Sequence, residues 1–131
     1  MTTNIALFAG LLLALQIKHL FADFFLQTPY MIQNRRIYGH PGGLLHVGIH
    51  VLGSAAVFAA FASAVGPVWG IPLILIVEAL VHYHIDWAKD RIVLRYALTP
   101  KDRNYWIATG TDQALHHLTY VAMALAWLQL I

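Results

Sequence analysis

Apolar residues in this chain fall in long runs, not in the alternating or three-to-four spacing of a soluble domain. Four runs reach the roughly 20 residues needed to cross a hydrocarbon core about 30 Å thick. They cover residues 5–26 (IALFAGLLLALQIKHLFADFFL), 44–65 (LLHVGIHVLGSAAVFAAFASAV), 71–94 and 105–131. The third opens with Pro72, which a first helical turn accepts. The second is rich in Gly and Ala (Gly48, Gly53, Ala55, Ala56, Ala59, Ala60), as suits close helix packing in lipid. The pattern predicts an all-α polytopic membrane protein, a single four-helix transmembrane domain over residues 1–131. A cleaved signal peptide is not expected, because the first run lacks a basic leader and continues into Lys18 and His19 without an Ala-x-Ala site.

The connectors set an expected orientation. Arg35 and Arg36 lie between the first two runs, and Arg91, Arg95, Lys101 and Arg103 lie around the third connector. The turn GPVWG, between the second and third runs, carries no charge. An excess of Lys and Arg marks cytoplasmic loops. Both termini and GPVWG are therefore expected on the other side of an inner (plasma) membrane. Trp69 and Trp127 would form an aromatic belt there, with Tyr30, Tyr38, Tyr96 and Trp106 forming one at the cytoplasmic face.

Composition agrees with lipid as the solvent. The 131 residues are 60% hydrophobic and 11% charged, with mean hydropathy +0.64, whereas a soluble domain is about 25% charged. The absence of cysteine excludes disulfide scaffolds, iron–sulfur clusters, cysteine-ligated zinc and thiol catalysis. A net charge of +2 is too small for a nucleic-acid binder.

The surprise lies in where the few polar residues fall. Of six acidic residues, Asp23, Glu78, Asp86 and Asp112 lie inside the apolar runs, with Asp90 beside Arg91 near the exit of the third. Each ionised group at mid-membrane costs about 2.5–3.5 kcal/mol, on the order of 10 kcal/mol for four unpaired ones. Their spacing suggests what compensates them. The runs carry His19-x-x-x-Asp23, His46-x-x-x-His50, Glu78-x-x-x-His82-x-x-x-Asp86 and Asp112-x-x-x-His116. An i,i+4 pair shares one helix face, so each helix presents metal-ligand types together. Antiparallel packing would bring all four pairs to one level near the cytoplasmic leaflet.

Imidazole and carboxylate without thiolate suit zinc, iron or manganese. The nine candidates (His19, Asp23, His46, His50, Glu78, His82, Asp86, Asp112 and His116) exceed the three or four protein ligands of one catalytic zinc. They suit one or two divalent ions, zinc or iron, in the manner of helix bundles that hold two metals. A metal-free proton relay is the competing explanation. Glu78, one turn deeper, is either a ligand or the catalytic general base. Gln27, His84, His117 and Lys89 are expected around the ligands, with Gln27 orienting one of them and Lys89 near the His82 face. Asp90 and Arg91 read as a solvated interfacial pair, and His40-Pro41-Gly42-Gly43 as the turn that ends the loop and starts the second helix, with a flexible lid as its alternative.

The segments KHLFADFFLQ, YGHPGGLLHVGIH, EALVHYHIDWAKDRI and DQALHHLTY resemble a bacterial family of small integral membrane proteins catalogued as a domain of unknown function. The resemblance covers nearly the whole chain and implies a compact four-helix membrane protein. It implies no activity. The scattered His and Asp on membrane helices are also loosely similar to inner-membrane proteins described as metal-dependent hydrolases.

The resulting expectation is an intramembrane metalloprotein that hydrolyses a lipid or amphiphile, because a metal ion lowers the pKa of its water to about 7. A di-iron membrane oxidoreductase using the same ligands is the alternative, and a non-catalytic metal-binding subunit is a third. A transporter is disfavoured by the scarcity of polar residues in the non-cytoplasmic halves. Membrane lipids are the expected partners, and a homo-oligomer is compatible with the sequence.

Overall fold

A computed structural model describes residues 2–65 and 68–129, and among these every regular element is helical. The order is α1 (Thr2–Phe24), α2 (Pro29–Asn34), α3 (Pro41–Val65), a 3-10 turn (Val68–Gly70), α4 (Ile71–Arg95) and α5 (Arg103–Gln129). The long helices hold 23, 25, 25 and 27 residues, or about 35–40 Å each at 1.5 Å per residue. Helix α1 packs on α3 and α5, and α4 packs on the same two, so the four enclose a common interior.

The first connector contains α2, which the apolar pattern does not reveal. Thr28 starts it by accepting the Met31 N–H, and Pro29 occupies the first turn. It lies against the start of α3, where a Cβ on Gly42 would come within 2.9 Å of Asn34 Cβ. Of GPVWG, Gly66 and Pro67 lie outside the described residues, as do Leu130 and Ile131 at the expected end of the fourth span.

Among the described residues, three spans are long and apolar enough to cross a membrane: Ile5–Phe24, Pro41–Ala64 and Val68–Arg95. Helix α5 has the length but carries Arg103, Asn104, Asp112, Gln113, His116 and His117 within it. The described residues therefore form an all-α chain with three membrane-crossing candidates. The chain's amphipathicity is inverted. Leu13, Ile17, Leu20, Phe24, Leu52, Leu73, Leu80 and Leu118 are exposed, while His19, His46, His50, Ser54, Glu78, His82, Asp86, Asp112 and His116 are buried. Apolar surface outside and polar side chains within is the arrangement lipid favours, because an outward polar group would find no partner there.

The interior is divided along its length. At the end where α1 and α4 finish and α3 and α5 begin, it is polar; all Lys and Arg residues except Lys18 lie at this basic end. The opposite half is a dry core of Leu11, Leu15, Phe58, Ile74, Ala124 and Trp127. Trp127 corrects the belt expectation. It is fully buried and packs edge-on against Phe58, with centroids 4.9 Å apart, because its position continues the inward α5 stripe of Asp112, His116, Tyr120 and Ala124. Trp69, Tyr30, Tyr38, Tyr96 and Trp106 are exposed.

Two local features position the site. Helix α4 ends with Leu98 N–H donating to the Val93 carbonyl at 2.9 Å and Ala97 N–H to Leu94 at 3.2 Å. This closure requires a left-handed residue, Ala97 at φ 48°. On α3, Gly53 leaves room for the Lys18 stem, since a Cβ there would stand 2.6 Å from Lys18 Cγ. Gly53→Val is expected to lower stability by about 1–3 kcal/mol through overpacking, read as an earlier thermal transition in detergent. Unchanged stability would mean that the Lys18 stem does not need this gap.

Candidate metal centre

Every fourth residue of α4 from Ile74 to Asp86 is buried, giving one inward stripe: Ile74, Glu78, His82, Asp86. Helix α5 answers with Asp112, His116 and Tyr120, α3 with His46, His50 and Ser54, and α1 with His19 and the half-buried Asp23. Because α1 and α4 run opposite to α3 and α5, the four i,i+4 pairs meet at one level. Cooperative placement follows from spacing alone: one helical face, four times.

Asp86 is the junction. Its Oδ2 stands 3.0 Å from His46 Nε2 and 3.5 Å from His82 Nε2, and those two nitrogens are 3.4 Å apart. Its Oδ1 stands 3.3 Å from His116 Nε2, which is 3.5 Å from Asp112 Oδ1. On the α1 side, Asp23 Oδ1 is 3.0 Å from His50 Nε2 and 3.5 Å from His46 Nε2.

These contacts have the dimensions of a coordination polyhedron. Four donors about 2.0–2.1 Å from a tetrahedral ion stand about 3.3 Å from one another. Among the described residues, two sets could hold an ion: Asp23, His46, His50 and His82; and His82, Asp86 and His116, with one donor atom from each residue inside 4.8 Å of the others. Hydrogen bonding alone satisfies this cluster poorly. Asp86 Oδ2 and Asp112 Oδ1 are buried with no aligned donor among the described residues, despite the nearby imidazole nitrogens. Two facing Nε2 atoms also share at most one proton between them. The donor set, nitrogen and carboxylate oxygen without sulfur, fits a borderline divalent ion.

A shell of polar side chains fixes these groups. His19 belongs to neither set. Its Nε2 faces Asp23 Oδ2 at 3.2 Å and Gln113 Oε1 at 3.1 Å, and its Nδ1 contacts Tyr120 Oη at 2.9 Å. Tyr120 Oη also lies 3.4 Å from His50 Nδ1. Gln113 donates to Asp23 and Asp112, each at 3.3 Å, and Gln27 approaches His46 Nδ1 at 3.5 Å. Partners on the far nitrogen of a ligating imidazole typically matter 10–100-fold in metal affinity. Tyr120→Phe is therefore expected to weaken metal binding by about 10–100-fold in chelator competition; unaltered affinity would remove Tyr120 from the account.

Other candidates stand elsewhere. Glu78 is fully buried but lies below both sets. Lys18 donates to its Oε1 at 2.9 Å and Ser54 at 2.7 Å, while Oε2 has no partner among the described residues. Lys18 also donates to Tyr120 Oη at 3.1 Å, joining this ion pair to the histidine layer. His84 points away, since two residues from His82 is about 200° around the helix. It contacts Tyr38 Oη at 3.1 Å and the Leu80 carbonyl at 2.7 Å. His117 is exposed and contacts Gln16, with its ring 5.5 Å from that of His19.

Lys89 pairs with Asp90 at 2.7 Å. Asp90 is not a solvated partner of Arg91: Arg35 Nε donates to its Oδ2 at 2.5 Å. Arg35 also reaches to 3.7 Å from Asp86, which puts a cation at the basic lip of the cluster. Burial opposes the Arg35 charge, but Asp86 and Asp90 outweigh it and raise its pKa. Lys18, Ser54, Gln113 and Tyr120 were not singled out by the sequence reading. A lysine within an apolar run was the available signal.

No curated protein and no solved structure matches the chain. The family described as "Protein of unknown function (DUF3307)" matches residues 11–131, a stretch that takes in the whole cluster, and the chain belongs to this DUF3307 family.

Proposed function

We propose that the chain is a four-span integral membrane metalloprotein whose interior binds one or two divalent ions and hydrolyses a lipid or amphiphile. The observation that carries the reading is Asp86, whose two oxygens face His46 and His82 on one side and His116 on the other. In this reading α5 is the fourth span, its polar residues satisfied inside the bundle. The Lys- and Arg-rich end faces the cytoplasm across an inner membrane, with both termini on the other side.

Asp23, His46, His50, His82, Asp86 and His116 would hold the ions, and Asp112 would be either a further ligand or the base. A bound divalent ion supplies Lewis acidity and an acidified water. His19, Gln113, Gln27 and Tyr120 orient the donors. Glu78 balances Lys18, a role supported by their 2.9 Å contact. Asp112 is the better base, because its Oδ1 lacks an aligned donor and its side chain reaches a surface groove. Hydrolysis adds the hydroxyl of water to an acyl or phosphoryl centre and delivers a proton to the leaving oxygen. Asp112 is suited to hold that proton in transit.

A second reading is a di-iron oxidoreductase, favoured by the bridging disposition of Asp86. Metal identity separates the two. Zinc-loaded protein that cleaves fluorogenic acyl or phosphoester amphiphiles, with activity lost in His82→Ala, supports hydrolysis. An iron-loaded, visibly absorbing protein that consumes oxygen and cleaves none of them supports the alternative.

A further inference from the structure

Beside the cluster, the seam between α4 and α5 opens as a groove of about 1070 Å³ at the basic end of the bundle. Its walls are aliphatic (Leu80, Ile85, Ala88, Ile107, Ala108, Leu115), and Asp112 stands among the lining residues. Asp112 is only 5% exposed, and its Oδ1 accepts no aligned hydrogen bond. It is also 3.5 Å from His116 Nε2. The groove thus leads from the apolar exterior to the edge of the donor cluster.

A second, smaller pocket of about 440 Å³ adjoins it and is more polar. Arg35, Arg36, Lys89 and Asp90 line it, and Lys89 and Leu98 belong to both pockets. The charges do not cancel. Asp90 and Asp86 together offset two of the three cations, which leaves one positive charge facing the pocket. An apolar channel joined to a cationic pocket through a shared lysine has the outline of an amphiphile: chain in one, anionic head in the other. Arg and Lys at a membrane interface favour anionic lipid heads, and guanidinium pairs with phosphate or carboxylate in charge-assisted hydrogen bonds.

We propose that the α4–α5 groove seats a single-chain anionic lipid, its alkyl chain against Ile85, Ala108 and Leu115 and its phosphate or carboxylate head at Arg36 and Lys89. This deepens the hydrolase reading and rests on it for the groove's role, because it makes such a lipid the substrate class. The chain would pass Asp112, so that bonds near the head come to the donor cluster. Atoms of the leaving group and the attacking water follow the hydrolysis already described.

The test uses the full chain in zwitterionic nanodiscs with two photoreactive probes, lysophosphatidic acid and lysophosphatidylcholine, each bearing a diazirine in its chain. The anionic probe is expected to label α4 and α5 peptides around Ala88 and Ala108, and to bind about tenfold more tightly than the zwitterionic one. Arg36→Gln, at an exposed position, should remove most of that difference, and Ala108→Trp should remove the labelling. Inorganic phosphate at the same concentration should not compete. Equal affinity for both probes, labelling on α1 or α3 faces, or displacement by phosphate alone would overturn the proposal. Labelling after chelator treatment keeps the two readings apart. Lipid seated in protein that never binds metal would sink the hydrolase reading and the lipid's role as substrate while leaving the groove as its seat, whereas metal-loaded protein without groove labelling would sink the groove proposal alone.

Discussion

A His82→Ala chain is expected to lose more bound metal than any other single substitution in the cluster. His82 belongs to both donor sets, and its Nε2 lies 3.4 Å from His46 Nε2 and 3.5 Å from Asp86 Oδ2. Losing it leaves Asp23, His46 and His50 in one set and only two donors in the other. His50→Ala and His116→Ala each remove a donor from one set alone, so each should lower the metal-to-protein ratio without abolishing it. Element analysis after extensive dialysis checks the ordering. If His82→Ala retains as much metal as the wild type while His50→Ala or His116→Ala loses it, the shared position of His82 is the wrong description.

Breaking the ion pair beneath the cluster should have the largest effect on stability. Lys18 and Glu78 side chains are 8% and 0% exposed, and the pair is 2.9 Å apart. Removing one partner of a buried pair typically costs about 3–5 kcal/mol, because the other charge is left uncompensated. Lys18→Met should therefore cost about that much, read from thermal or denaturant unfolding in detergent. The double substitution Lys18→Met/Glu78→Met should recover most of the loss, since apolar replacements of a buried pair are often neutral. A Lys18→Met chain as stable as the wild type would mean that this ion pair contributes nothing to stability.

The sequence made the repeated unit of the site legible but hid what lies between the units. Four i,i+4 pairs in apolar runs were enough to expect convergence, because helical periodicity and antiparallel packing leave little choice of level. What could not be read is which pair faces which. Asp86 becomes the junction, and His19 turns towards Tyr120 and Gln113, through the rotation of each helix about its axis, which one residue's shift in packing changes by about 100°. Glu78 illustrates the same gap. Its spacing matched a ligand, but the Lys18 stem reaches it across Gly53, a contact between residues 60 apart in sequence.

Its place near the C-terminus makes Trp127 look like an interfacial aromatic, but its register with Tyr120 and Ala124 puts it on the inward face. Helix α2 escaped because TPYMIQN has no apolar period. Thr28 and Pro29 were its only markers. Helix α5 is not among the three membrane-crossing candidates for a related reason: it carries Asp112 and His116 on its inner face, which lowers the hydropathy averaged around the helix.

X-ray absorption at the metal K-edge of the protein, purified without added metal, tests the central claim most directly. The account predicts a protein-bound divalent ion, zinc or iron. Its first shell should be nitrogen and oxygen at about 2.0–2.2 Å, with the outer-shell scattering of at least two imidazoles and no sulfur. A chain free of metal, or one whose ion shows only water oxygens and no imidazole scattering, would contradict it.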